Sequence, residues 1–306
     1  MAETRRLTDL PADRLRLLMA RLRQKDQVAA PGIERVARDG APLPLSFAQQ
    51  RLWFLDRLEP GSPLYNMPAA VELRGRLYPA ALAAALGEIA RRHEALRTTF
   101  REEAGEPEQI VAEPARFPLP LIDLQGHPEE AALLGDAEAR RPFDLGRGPL
   151  LRAALLRLGA GEHVLLVTMH HIVSDGWSTG VLVRELGALY AAAVMGAPSP
   201  LPELPFQYAD FAAWQRRHLA GERLATGLAW WRERLAGLPP ALELPVDHPR
   251  PVRLSARGGA HEFAIPEEDR AGLDRLARSR GATPFMALLA GFAALLGRYT
   301  GMDDLA

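Results

Sequence analysis

The most informative stretch of the chain is Met169-His170-His171-Ile172-Val173-Ser174-Asp175-Gly176-Trp177-Ser178, where two adjacent histidines close an apolar run. The run reads as a β-strand, and successive strand side chains point to opposite faces. One histidine therefore faces one side of the sheet and its neighbour the other. A single metal ion held by both is hard to build, and the chain offers neither a cysteine nor an H-E-x-x-H pair to assist. A histidine at a strand end, directed into a cleft, serves as a general base near neutral pH. Asp175 is close enough to help hold the loop. Gly176 permits close backbone approach or an unusual backbone angle. The helix start that follows offers free N–H groups to a developing oxyanion. A lone histidine at a strand end is more often structural; the pair with Asp-Gly at this spacing favours catalysis.

A competing pattern overlaps the same residues. Gly176-Trp177-Ser178-Thr179-Gly180 matches G-x-S-x-G, the nucleophile elbow of α/β-hydrolases. Acids and bases follow in the required order, Asp210 or Asp247 and then His248 or His261. That elbow needs its serine on a sharp turn directly between strand and helix, whereas a longer loop precedes Ser178. The spacing predicts Ser178 as a helix N-cap, with the nucleophile as the alternative.

These residues need elements to position them. Leu150 to Leu158 and Glu162 to His170 predict two strands, the second apolar enough to be central in a sheet. A helix is expected from Ser178 to Met195. Upstream, Leu15, Leu18 and Leu22 predict an amphipathic helix over Pro11 to Arg23, followed by a polar linker to Pro44. Ser46 and Gln49 have capping-box spacing and open a helix to Leu58 that buries Leu52, Trp53 and Leu55. Strands are expected at Met67 to Leu73, Arg97 to Arg101, Gln109 to Ala112 and His261 to Ala264. Helices are expected over Pro79 to His93, from Pro128, at 208–219 and 224–236, and from Thr283, whose cap precedes Pro284, to Arg298. Strands and helices that do not strictly alternate predict an α+β or open-faced sandwich design.

Composition sets bounds. The chain has 306 residues, 48% hydrophobic and 25% charged, with a net charge of −1, which gives no footprint for nucleic acid or an anionic membrane. The absence of cysteine excludes disulfides and a thiolate nucleophile and fits a reducing cytosol. No apolar run reaches the roughly 18 residues of a membrane span.

The loop MHHIVSDGWS resembles the HHxxxDG motif of nonribosomal peptide synthetase condensation domains. Three other stretches resemble further motifs of that family in the expected order: SFAQQRLWFL from Ser46, RHEALRTTF from Arg92 and YADFAAWQ from Tyr208. The likeness continues through Trp230-Trp231 and the stretch from Leu244 to Pro251. It implies a chloramphenicol-acetyltransferase-like α+β sandwich of two similar subdomains with a tunnel between them. Residues 1–42 would be an N-terminal helix and linker, 43–220 a complete N-terminal subdomain and 221–306 the start of a truncated C-terminal one. The resemblance implies amide-bond formation between a donor acyl or peptidyl thioester and the amine of an acceptor aminoacyl thioester. Both hang on the phosphopantetheine arms of partner carrier domains within a larger synthetase, and no metal or bound cofactor is implied.

By the same resemblance His171 acts on the attacking amine as base or positioner, His170 is structural, Asp175 orders the loop and Gly176 sits near the thioester. Arg92 and Arg97 hold the region together, with Trp177 and Ser178 beside it. Members of the family extend well past this length, so the chain reads as C-terminally cut and less active alone than a longer form. A noncatalytic recruitment module of the same fold is a further alternative; intact His171 and Asp175 speak against it.

Overall fold

The computed structural model describes residues 32–239, 241–249, 258–259 and 261–305. The helix expected over Pro11 to Arg23 lies outside the described residues. The chain divides into two compact units, one ending at Ala220 and one beginning at Gly221.

The first unit is built on two antiparallel-dominated sheets. Strands β1 (Leu43–Pro44), β3 (Thr98–Glu103) and β4 (Glu106–Val111) form a small sheet in the order β1-β4-β3. The main sheet runs β2-β7-β6-β5, from β2 (Asn66–Arg74), β5 (Leu121–Asp123), β6 (Leu151–Gly159) and β7 (Glu162–His170). β7 is thus interior, paired antiparallel on both sides: Asn66 lies opposite His170 on one edge and Leu151 opposite Met169 on the other. β5 pairs with β6 in parallel. Interior placement explains why Val164 to Met169 read as an apolar run, interrupted by Thr168, rather than as an alternating pattern.

Helices cover both faces of this sheet, so of the two expected designs the first unit takes the α+β one rather than the open-faced one. On one face α2 (Pro79–Arg92) places Leu82, Leu86 and Ile89 at helical spacing against Leu155, Leu165 and Val167, and α4 (Gly176–Val194) adds Leu189. Burying each such leucine contributes about 1.5–3 kcal/mol. On the other face α3 (Glu130–Arg140) brings Ala131 and Leu134 against Leu156 and Leu166. Among the described residues the other first-unit helices are α1 (Phe47–Leu58) and α5 (Tyr208–His218), with a short 3-10 turn at Glu94–Arg97. α1 has the expected capping box: the Ser46 hydroxyl accepts from the Gln49 N–H, and the Gln49 side chain accepts from the Ser46 N–H. It buries Leu52, while Trp53 and Leu55 are half-buried.

The second unit contains α6 (Gly221–Arg234), α7 (Glu267–Ser279) and α8 (Pro284–Thr300). The Thr283 hydroxyl accepts from the Met286 N–H at the start of α8, and Gly301 ends the helix with φ 69°. The axes of α7 and α8 turn by 107°. No strand forms at His261 to Ala264. Phe263 is 80% exposed, and no described strand pairs with that segment. Among the described residues no single helix is long and apolar enough to cross a membrane.

Candidate active site

The end of β7 separates the two histidines. His170 is the last ladder residue and points into the core, 2% exposed, between Tyr65 and the edge of Phe143. Its Nδ1 accepts from the Ile172 N–H at 3.1 Å. Burial, with a smaller contribution from the neighbouring His171, pushes its pKa down to about 4. It is neutral at physiological pH and committed to the fold. His171 points the other way and is exposed, with its own N–H donating to the Tyr65 carbonyl at 2.8 Å.

The His171 ring is held by its own loop, with Nδ1 2.6 Å from the Ser174 carbonyl oxygen. A carbonyl oxygen can only accept, so Nδ1 carries the hydrogen and Nε2 of the neutral ring keeps a free lone pair. Ser174 is itself fixed, its hydroxyl donating to the His170 carbonyl at 3.1 Å. Ile172 plugs into a second core cluster with Leu52, Phe100 and Phe143. The loop is therefore anchored by one buried residue on each side of Val173.

Asp175, not Ser178, is the N-cap of the following helix, which starts at Gly176. One Asp175 carboxylate oxygen accepts from the Ser178 N–H at 2.8 Å and from its hydroxyl at 2.6 Å. The Asp175 N–H donates back to the Ser178 hydroxyl at 3.2 Å. An Asp at N-cap with Ser at N3 makes the reciprocal box, and the expected cap is displaced because Asp175 claims it three residues earlier. The hydroxyl of Ser178, then its N–H, holds the Asp175 carboxyl below the usual carboxylate range, with His171 adding attraction. The Trp177 and Ser178 N–H groups face this carboxylate and are not free for an oxyanion.

The same box answers the hydrolase pattern. The Ser178 hydroxyl is bonded to a carboxylate rather than to an imidazole. Asp210 is also engaged elsewhere: it is 1% exposed, accepts from the Val36 and Gln207 N–H groups, and lies 3.0 Å from the Arg38 guanidinium.

Arg92 and Arg97 have separate attachments. Arg92 is buried, 3.3 Å from Glu185 on α4, and also donates to the Pro202 carbonyl. Arg97 donates to the Ala112 carbonyl and stands 3.8 Å from Glu94, bracing the 3-10 turn against the end of β4. Only Arg92 is bound to the helix that the motif loop begins. Sequence reasoning missed its partner Glu185, a buried carboxylate that also meets His93 Nε2 at 2.7 Å. Its signal was a lone acid among Leu182, Leu186 and Leu189 on one helical face.

Residues 33–42, expected to be a linker, are instead a docked strap. Arg35 donates to the Leu204 and Pro205 carbonyls, and Arg38 pairs with Glu94 at 2.7 Å and with Asp210. Gln207 completes the network: its amide donates to the Arg92 carbonyl and accepts from the Glu94 N–H. The motifs at Arg92 and Tyr208 are thereby joined.

A cavity of about 470 Å³ lies beside the motif loop, between α4 and the start of α5, with Val173, Ser174 and Trp177 on one wall. No group of three or more His, Asp or Glu side chains converges on a metal-binding position among the described residues.

Comparison with known proteins agrees with this architecture. The sequence model of the Condensation domain family matches residues 41–306. The chain is 47% identical to phosphinothricin tripeptide synthetase PhsC of Streptomyces viridochromogenes over 98% of its length, which is 28% of PhsC. It is 49% identical to chondramide synthase cmdD of Chondromyces crocatus over 86% of its length, 7% of that protein. The chain therefore spans a small part of these curated relatives. Among solved structures it is similar to the X-domain from teicoplanin biosynthesis, with a TM-score of 0.80 and 35% identity over 88% of this chain and 60% of that one. It is also similar to the first condensation domain of the CDA synthetase, with a TM-score of 0.71 and 27% identity over 87% of this chain and 64% of that one. With its chloramphenicol-acetyltransferase-like α+β fold and HHxxxDG loop, the chain belongs to the condensation-domain family of nonribosomal peptide synthetases.

Proposed function

We propose that this domain joins a donor acyl or peptidyl thioester to the amine of an acceptor aminoacyl thioester, both presented on phosphopantetheine arms of carrier domains. The single observation that carries the reading is the His171 ring, pinned through Nδ1 to the Ser174 carbonyl with Nε2 left as the basic nitrogen. The amine nitrogen attacks the thioester carbonyl while Nε2 takes its proton. The tetrahedral intermediate collapses, the C–S bond breaks, and the protonated ring returns the proton to the leaving thiolate. One amide forms and one thiol is released. Holding amine and thioester together is worth up to roughly 7–11 kcal/mol, and a placed base about 10²–10⁴-fold, so positioning is the larger effect.

In this reading His171 is the catalytic residue and Gly176 admits the thioester. Asp175, His170 and Arg92 keep the loop and its helix in register, while Arg97 braces the small sheet behind them. Residues 43–220 form the N-terminal subdomain and 221–306 part of the C-terminal one. The carriers and adjoining synthetase domains are the partners, in the cytosol.

A noncatalytic recruitment role is the second reading, favoured by the likeness to the teicoplanin X-domain, which has been solved in complex with OxyB. Mass spectrometry of loaded donor and acceptor carriers separates the two, with this chain and a longer form each compared with its His171→Ala variant. Donor mass moving to the acceptor and lost in the variant supports condensation. Transfer that survives the variant demotes His171 to a helper, and no transfer by either length supports recruitment.

A further inference from the structure

The cavity beside the motif loop has a lining whose polar side chains are already engaged within the protein. The Ser174 hydroxyl donates to the His170 carbonyl, and the Ser178 hydroxyl to Asp175. The Gln207 amide is divided between the Arg92 carbonyl and the Glu94 N–H. The Tyr208 hydroxyl meets Ser46 at 3.0 Å, and His93 Nε2 meets Glu185. What remains facing the space is hydrocarbon and aromatic ring, chiefly Met169, Val181, Leu182, Phe206 and Phe211. Trp177, 85% exposed, stands at the rim. A polar guest would lose its water without finding partners, whereas an apolar one gains by leaving water. No arginine lines the space, so it does not suit the phosphate of a pantetheine arm.

The location gives the guest its identity. Ser174 lines the cavity and its carbonyl fixes the His171 ring, so a group seated there lies against the residue that holds the proposed base. The volume falls in the range of small-ligand sites and accepts a side chain as large as an aromatic ring. We propose that this cavity receives the apolar side chain of a carrier-bound aminoacyl substrate and so sets a preference for large apolar residues over small or polar ones. The proposal rests on the condensation reading for the nature of its guest, but binding can be measured without turnover.

The test uses stable pantetheine amides of glycine, serine, leucine and phenylalanine, titrated calorimetrically into the 306-residue chain. The leucyl or phenylalanyl form is expected to bind about tenfold or more tightly than the glycyl and seryl forms, as one well-filled apolar pocket allows. Val181→Trp, which fills the space, is expected to erase the preference. Phe206→Ala, a truncation on a partly exposed loop residue, is expected to reduce it several-fold. Unchanged thermal unfolding shows that each variant is folded. Comparing free-amine with N-acetylated probes shows whether the guest belongs to the acceptor or the donor.

Equal affinities, no measurable binding of the apolar forms, or a preference that survives Val181→Trp and Phe206→Ala overturns the proposal. A preference present without carrier-to-carrier transfer keeps the pocket and removes the condensation reading. Transfer without preference does the reverse.

Discussion

The imidazole Nδ1 of His171 sits 2.6 Å from the carbonyl oxygen of Ser174, three residues ahead in the same loop. The contact uses main chain rather than a side chain, so point substitution at Ser174 does not remove it. Ser174→Ala is expected to lose the hydroxyl bond to the His170 carbonyl and some stability, about 1 kcal/mol, yet keep most of the transfer rate. His171→Gln is expected to keep stability and lower the transfer rate by about 10²–10⁴-fold. Single-turnover transfer between loaded carriers, alongside urea unfolding, checks both.

Asp175 acts through a cap, which Asn also supplies. Asp175→Asn is expected to unfold within a few tenths of a kcal/mol of the parent, and Asp175→Ala about 1 kcal/mol earlier. If transfer falls equally in both, the charge beside His171 matters; if only the alanine variant slows, ordering of the loop is the whole role.

Ser178→Ala removes the second half of that capping box. Its expected effect is less than about 1 kcal/mol on stability, with transfer retained. A fluorophosphonate probe is expected to leave Ser178 unlabelled; labelling lost in the alanine variant would restore the hydrolase alternative.

His170 makes stability depend on pH. Its folded pKa, about 4, lies below the ordinary value of 6.5, so between those values the unfolded chain binds the extra proton. The contribution is therefore fully present above pH 6.5 and declines as pH falls towards 4, by on the order of 2–3 kcal/mol. Urea midpoints from pH 7 to 4 should show this decline, and His170→Asn, which still offers the Ile172 N–H an acceptor, should flatten it. An identical slope in both proteins assigns the acid sensitivity elsewhere.

Gly176 has no need to be glycine for the fold. A Cβ there meets nothing within 4 Å, and the residue opens a helix with no positive φ. Gly176→Ala is expected to leave thermal unfolding unchanged or slightly raised; on the proposed reading it slows transfer, because the added methyl would stand in the thioester's approach. Unimpaired transfer would show that no substrate comes close.

Much of this was legible because the signals are local. Ser46 with Gln49, Thr283 before Pro284, and the apolar run into His170 each specify an element within a few residues. The different fates of His170 and His171 were expected from the period of a strand, but the strand ends at His170, and it is the turn that follows which holds the His171 ring. Ser178 misled because Asp175 is an equally good cap and the helix takes the earlier one. The helix Glu267–Ser279 went unread although Pro266 and three acids mark its first turn. Residues 33–42 read as a linker because their order comes from Glu94 and Asp210, far away in sequence, and the cavity beside α4 was illegible for the same reason.

The division of labour between β7 and the chain after α4 has an evolutionary consequence. His170 closes a strand locked by neighbours on both edges and so fixes where the motif loop carrying His171 begins. Phe206 and Phe211 belong to a loop and a helix that contribute nothing to any ladder. On the proposed reading, drift there changes which residues are accepted without touching the loop that holds His171, so selectivity diversifies among paralogues while the chemistry is inherited unaltered.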